Sequence, residues 1–181
     1  LSLGHPRQSL SVEELDDWFG ARPHYVCADG LYHYQNKDTG VSFAFAQRIA
    51  GDEGTDDALL TLRFSLDYFR PGFFAVEAGI ELGQCVADLH LHVVDAATGR
   101  RTEPYRAERF IADWQRGNAS ACLAMLHGDR VVARFLPDLP RSTLQVVWQW
   151  NYTRRMRQAQ LGADVHVSPL KLIAYGGEIA T

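Results

Sequence analysis

Two histidines and two aspartates lie within the eight residues from Asp88 to Asp95, which read DLHLHVVD. Histidine and aspartate side chains bind metal ions and transfer protons, so this stretch is the first place to look for chemistry. In a strand, His90 and His92 would share one face with Asp88 and lie ~6–7 Å apart, at about 3.3 Å per residue. That spacing allows both imidazoles to reach one ion, although a zinc site takes at least three protein ligands.

The same alternation also fits an ordinary strand at the surface of a sheet. The opposite face would carry only apolar side chains: Leu89, Leu91 and Val93. A period of two that separates apolar from polar residues is typical of a strand between a core and water. We therefore predict no metal, no cofactor and no catalytic residue. The alternative is a metal- or histidine-dependent enzyme that uses Asp88, His90 and His92.

Neighbouring elements would bring further polar side chains to this face. A strand predicted over 59–68 has the clearest period of two, with five residues towards the core: Leu60, Leu62, Phe64, Leu66 and Tyr68. A helix predicted over 73–87 joins it to the strand 88–94, and such a crossover makes the two strands parallel neighbours. Arg63 and Asp67 would then stand beside the histidines, as a binding face or as a ladder of ion pairs. The candidate binding residues of this face are Arg63, Asp67, Asp88, His90 and His92.

The second candidate site is the stretch 146–157, VVWQWNYTRRMR, within the best predicted helix. The core stripe of that helix would consist of apolar and aromatic residues: Leu144, Val147, Trp148, Tyr152 and Met156. Trp150 falls off this stripe, so it packs on another element or is exposed. Aromatic residues next to arginines are typical of interface hot spots and of single-strand nucleic-acid binders. The other interpretation is an amphipathic helix with a solvated basic end, and we keep Trp150 and Arg154 as candidate binding residues.

Local signals predict the elements near the start of the chain. Ser11 followed by Glu14 is a capping box, so a helix should span about 12–19. Asp29-Gly30 is a favoured two-residue turn between the strands HYVCA and LYHYQ. The turn NKDTG and the strand VSFAFAQ extend this hairpin into an antiparallel meander.

Further signals lie in the second half of the chain. Gly79 and Gly83 would weaken the helix that carries them, but would let another element pack closely against it. Two helical pieces follow, YRAERFIADWQR and ASACLAMLHG, the second capped by Asn118. The long helix should end at Gly162, and a glycine pair at 176–177 predicts a closing hairpin turn. These elements predict an α+β fold, a mainly antiparallel sheet with helices packed chiefly on one face.

Composition limits the class of protein. The chain has 181 residues, of which 46% are hydrophobic and 22% charged, as in one globular domain over 1–181. Its net charge is −4, which argues against nucleic-acid binding. The acidic stretch GDEGTDD at 51–57 would favour a basic protein partner, such as a nuclease. No apolar run approaches the roughly 20 residues of a membrane span.

Cysteine usage and the chain ends suggest where the protein works. The three cysteines have no C-x-x-C spacing, so we predict neither a disulfide framework nor a zinc ribbon. A reducing compartment, hence the cytoplasm, is the corresponding expectation. No signal-peptide pattern opens the chain. Because Leu1 is not Met and the chain stops just after a predicted turn, we expect the natural chain to continue beyond these ends.

Three stretches carry a resemblance: LRFSLDYFRPGFFAVEA, ADWQRGN and VVWQWNYTRRMRQAQLGADVHV, which include Pro71, Glu77, Asn118 and Asn151. Together they resemble a loosely defined group of bacterial proteins encoded beside polymorphic or type VI secretion toxins, which are similar to immunity proteins. The resemblance covers most of the chain and implies no catalytic residues. It implies a non-enzymatic protein that neutralises a cognate toxin by covering its active site.

Overall fold

A computed structural model describes residues 2–4, 11–50, 59–94, 104–128, 139–175 and 178–180. The helices of this part are α1 (Val12–Gly20), α2 (Phe73–Asp88), α3 (Ala107–Gly128) and α4 (Arg141–Leu161). The strands are β1 (Ser2–Gly4), β2 (Tyr25–Ala28), β3 (Leu31–Gln35), β4 (Ser42–Ala50), β5 (Leu59–Ser65), β6 (His92–Val94), β7 (Ile173–Tyr175) and β8 (Glu178–Ala180). The predicted acidic loop at 51–57 lies outside the described residues.

The first six strands form one sheet in the order β2-β3-β4-β5-β1-β6. Each neighbouring pair in it is antiparallel. Strands β7 and β8 form a separate antiparallel pair on either side of residues 176–177, and the turn predicted there lies outside the described residues. The sheet and its helices confirm the predicted α+β class.

The core lies between one face of the sheet and the helices. Alternate side chains of the central strands are buried there: Tyr32, Tyr34, Phe43, Phe45, Leu60, Leu62 and Phe64. Helix α1 adds Leu15 and Phe19, and the ring of Phe19 stacks on Tyr32 with centroids 4.0 Å apart. Burying each such side chain contributes about 1.5–3 kcal/mol, so this layer dominates the stability of the fold.

The local signals near the start of the chain are confirmed. The Ser11 hydroxyl accepts the amide of Glu14 at 3.1 Å, and the Glu14 carboxylate accepts the amide of Ser11 at 2.9 Å. At the first hairpin, Asp29 and Gly30 have φ of 48° and 73°. Positive φ at both central residues is the type I′ geometry that matches the twist of the strands.

Helices α2 and α3 meet at the two glycines of α2, as predicted. A Cβ on Gly79 would come within 3.3 Å of the Ile111 side chain, and one on Gly83 within 3.2 Å of the Tyr105 ring. The Tyr105 hydroxyl also donates to the carbonyl of Gly79 at 2.9 Å. The missing side chains therefore let α3, and Tyr105 just before it, come into direct contact with the backbone of α2.

Two predictions about the middle of the chain were wrong. Strand β5 ends at Ser65, so Tyr68 is exposed and lies beside Trp114 of α3 instead of entering the core. The two helical pieces are one continuous helix, and Asn118 caps nothing. Its amide accepts the N–H of Phe69 at 2.6 Å and donates to the carbonyl of Arg70 at 3.0 Å. A tertiary contact to the 69–70 turn thus uses the side chain that was expected to start a helix.

Helix α4 ends at Gly162 as predicted, and its core stripe is shorter than predicted. Val147 and Trp148 are buried, whereas Met156 is exposed. The buried residues of α4 are Val147, Trp148 and Asn151, so the stripe does not extend to Met156. Within the described ranges, no helix combines the length and apolar character that crossing a membrane would require.

Candidate functional site

The DLHLHVVD stretch does not form the predicted strand. Helix α2 continues through Asp88, and the amide of Leu91 closes it by donating to the Val86 carbonyl at 2.9 Å. His90 then reverses the chain with a φ of 51°, and the strand begins only at His92. Helical hydrogen bonding thus overrides the alternating pattern over 88–91. Leu91 and Val93 are nevertheless buried, as the pattern predicted.

The three residues of the alternative enzyme site therefore lie on a helix, a turn and a strand. Asp88 accepts the indole N–H of Trp18 at 3.1 Å and lies 3.9 Å from the guanidinium of Arg22. His90 is exposed and His92 is half-buried. In the part of the chain that the structure describes, no three His, Cys, Asp or Glu side chains are grouped as a metal site requires.

Arg63 and Asp67 do not complete a cluster with the histidines. Strands β5 and β6 run parallel, but they are not neighbours, because β1 lies between them and pairs with both. Arg63 is opposite Ser2 of β1, and Asp67 is exposed beyond the end of β5. The predicted crossover has the right direction, but a strand far away in sequence occupies the position between its two strands.

Trp150 and Arg154 contact other parts of their own chain. The indole N–H of Trp150 donates to the carbonyl of Ser168 at 2.9 Å, and the Arg157 guanidinium lies 5.2 Å from the indole ring. Arg154 forms a salt bridge with Asp38 at 2.6 Å. Of the two alternatives for Trp150, the structure shows packing on another element, the segment that follows α4.

A buried carboxylate, which the sequence pointed to only through the resemblance, organises the interior. Glu77 of α2 is 0% exposed, and its Oε1 accepts hydrogen bonds from the Tyr34 hydroxyl at 2.8 Å, the Asn36 amide at 2.8 Å and the Thr39 hydroxyl at 3.1 Å. Its Oε2 accepts the indole N–H of Trp148 at 2.7 Å. We call these five residues the Glu77 cluster.

The Glu77 cluster joins three parts of the fold. Helix α2 supplies the carboxylate, β3 and the turn after it supply three donors, and α4 supplies the indole. A buried charge is tolerated only when hydrogen bonds replace its hydration, and four donors do so here. Burial and then the charge of Glu77 raise the pKa of Tyr34 above its usual value, so the phenol stays a donor. A sequence signal for this was present, since Glu77 lies on the same helical stripe as the buried Phe74 and Ala78.

Asp38 forms a second charged contact beside the cluster. Its carboxylate is 2.6 Å from Arg154 and 2.7 Å from Arg155 of α4. Burial alone would raise the pKa of Asp38, but the hydrogen bonds and charges of the two arginines lower it overall. The contact ties the turn after β3 to α4, close to the point where Trp148 is tied to Glu77.

The segment 163–172, which we call the strap, runs back along α4. The Asn151 amide accepts the N–H of Leu170 at 2.8 Å and donates to its carbonyl at 2.9 Å. The Gln158 amide accepts the N–H of Val167 at 2.9 Å and donates to the carbonyl of Val165 at 2.7 Å. Side chains of α4 thus satisfy the strap backbone as a neighbouring strand would.

A cavity of about 290 Å³ lies between the turn after β3, the start of α2, α4 and the strap. Most of its lining is apolar or aromatic: Pro71, Phe73, Leu144, Val147, Trp148, Leu170 and Leu172. The polar side chains at its wall are Asp38, Thr39 and Asn151. The Glu77 cluster and the strap fix two of its sides, so the cavity is held by the network described above.

In the part of the chain that the structure describes, the face of the sheet away from the helices is uncovered. By strand register, two neighbouring rows point outwards: Val26, His33, Ala44 and Ser65 in one, and Ala28, Leu31, Ala46 and Arg63 in the other. Val26 is 62% exposed and Leu31 45% exposed. No described helix packs on these rows, which we call the open sheet face.

Comparison of the chain with protein-family models, with curated proteins and with solved structures finds no match. The resemblance to immunity-type proteins therefore stays a prediction that rests on the residues quoted for it. What is established is the class: an α+β fold which, in its described residues, has an antiparallel sheet, a buried carboxylate network and an open sheet face.

Proposed function

We propose that this chain is a non-enzymatic binding protein that covers a partner protein with its open sheet face. One observation carries the proposal: Val26 and Leu31 are large, apolar and exposed on adjacent rows of the sheet, whose opposite face packs on the core. Exposed apolar side chains next to each other on a flat surface are typical of interaction sites. Small side chains around them, such as Ala44 and Ala46, would let a partner approach the sheet closely.

Charge on the open sheet face indicates the chemistry of that partner. Arg63 of this face and Arg48 of the next outward row are exposed, and the outward positions of the described β2–β5 residues include no carboxylate. The face is therefore cationic although the whole chain carries −4. Complementary potentials favour association, so the contacting surface of the partner would be acidic. An acidic partner differs from the basic partner that the net charge and loop 51–57 predict. The acidic partner is inferred from the described residues of the sheet, and loop 51–57 lies outside the described residues.

We further propose that the partner is a cognate bacterial toxin, as the resemblance implies. A cationic sheet face suits an active site lined by carboxylates, such as one that holds divalent metal ions. Covering such a site would inhibit the toxin without any chemistry by the binding protein. The acidic surface would then be the active site of the toxin, whatever the net charge of the toxin as a whole.

Calorimetric titration with the toxin domain encoded by the neighbouring gene would test this proposal. We expect nanomolar affinity, at least tenfold weaker binding for Leu31→Glu, and slower association for Arg63→Glu. Matched controls are Val146→Glu and Arg106→Glu, since both residues are exposed outside the sheet, Val146 on α4 and Arg106 immediately before α3. Absence of binding at tens of micromolar, or equal losses in the controls, would contradict the proposal.

A further inference from the structure

We propose that the cavity between α4, the strap and the turn after β3 is a binding site for a small, neutral, planar aromatic molecule. It is half open to solvent, and its volume of about 290 Å³ exceeds that of the enclosed apolar cavity of about 150 Å³ that takes up benzene in an engineered protein. A bicyclic ring such as indole therefore has room. The lining that a ring would contact is Phe73, Leu144, Val147, Trp148, Leu170 and Leu172.

The aromatic preference comes from two rings of the wall. Phe73 and Trp148 are nearly parallel, with an interplanar angle of 15° and centroids 6.4 Å apart. Trp148 is fixed from behind, because its N–H binds Glu77 at 2.7 Å and its ring stacks on Tyr152 at 5.3 Å. Because Trp148 is already held in place, it loses little conformational entropy when a ligand binds. Offset stacking on its ring favours a planar aromatic ligand.

The polar side chains of the cavity wall indicate that the ligand is uncharged. Asp38 is paired with two arginines, and the Asn151 amide uses both of its ends on Leu170. The Thr39 hydroxyl donates to Glu77 and accepts the amide of Val41. Each polar lining group thus has a partner within the protein, so the wall has no charge to offer a charged ligand. Desolvating a carboxylate there would not be compensated.

Indole, with benzoate as the charged comparison, is the probe for this site. We expect the protein to bind indole with a dissociation constant in the micromolar to low millimolar range by calorimetry and to melt at a higher temperature. Benzoate should bind at least tenfold more weakly. No heat and no thermal shift with indole up to its solubility limit would overturn the proposal, and so would equal affinity for benzoate.

Variants that fill the cavity with a larger side chain test whether indole binds there. Leu144→Trp should weaken indole binding at least tenfold, whereas Val146→Trp should leave it within twofold, because Val146 is 63% exposed on the same helix. Leu172→Trp fills the cavity from the strap, and it should weaken indole binding to the same extent. It replaces Leu144→Trp in the test if that variant does not fold. Circular dichroism establishes folding for each variant. Indole binding that survives in a folded cavity-filling variant would place the site elsewhere and overturn the assignment.

Discussion

Replacing Glu77 by glutamine should destabilise the protein far more than a change of one atom suggests. In the native protein the carboxylate oxygens accept four hydrogen bonds, three on Oε1 and one from Trp148 on Oε2. Glutamine offers one acceptor oxygen and one N–H₂ group. If its oxygen serves the three donors, its N–H₂ faces the indole N–H, and two donors oppose each other in a dry site.

The magnitude follows from these contacts. Losing the hydrogen bond from Trp148 to a charged acceptor removes about 1.5–3 kcal/mol, and leaving buried donors unsatisfied costs about 1–3 kcal/mol more. We therefore expect Glu77→Gln to lower the free energy of unfolding by about 3–5 kcal/mol. For a chain of this length, that corresponds to a fall in Tm of about 10–15 °C.

Glu81→Gln is the matched control, because Glu81 lies one turn further along α2. Its two donors, Arg22 at 3.1 Å and Tyr25 at 3.3 Å, both bind Oε2. A glutamine oxygen can replace that single acceptor, and the ion pair is partly solvated, so a loss of about 1 kcal/mol or less is expected. Urea denaturation followed by tryptophan fluorescence measures both variants.

A double-mutant cycle with Trp148→Phe tests the cause. Phenylalanine removes the N–H that opposes the glutamine amide, so the double variant should be more stable than the sum of the two single losses by about 1 kcal/mol or more. Strict additivity would show that the Trp148 contact is not the source of the loss. If Glu77→Gln cost no more than Glu81→Gln, the argument for a buried network would be refuted.

Three further predictions follow from other contacts. Gly30→Ala should cost about 1–2 kcal/mol in urea denaturation, because φ is +73° and the new Cβ would lie 2.9 Å from a side-chain oxygen; Gly20→Ala, which meets nothing within 4 Å, should not destabilise. Because the folded pKa of Asp38 is lowered, its contribution to the free energy of unfolding is present above the unfolded pKa near 3.9 and is lost as pH falls through the folded pKa. Asp38→Asn should therefore make the free energy of unfolding less dependent on pH between pH 2 and 6. An unchanged slope would contradict this. Burial raises the pKa of Cys85 to about 12, so at pH 8 a thiol reagent should modify it only after unfolding, whereas the exposed Cys27 should react in the folded protein.

Features that depend on a few adjacent residues could be predicted from the sequence. The capping box of Ser11 and Glu14, the turn at Asp29-Gly30 and the end of α4 at Gly162 all match the structure. Each is governed by backbone geometry or by a hydrogen bond within three residues, so local chemistry is sufficient. The alternating pattern of β5 likewise reports burial correctly as far as the strand extends.

Features that depend on distant residues were decided only when the chain folded. Glu77 looks like one polar residue in an apolar helix until β3 and α4 bring it four donors from residues 34–39 and 148. Asn118 has the residue type of a helix cap, yet its amide holds a turn 48 to 49 residues away. The two histidines of DLHLHVVD alternate as in a strand, yet helical hydrogen bonds carry α2 through the start of that stretch. A side chain takes whichever partner satisfies it best in the folded state, and sequence spacing records only the partners that are close along the chain.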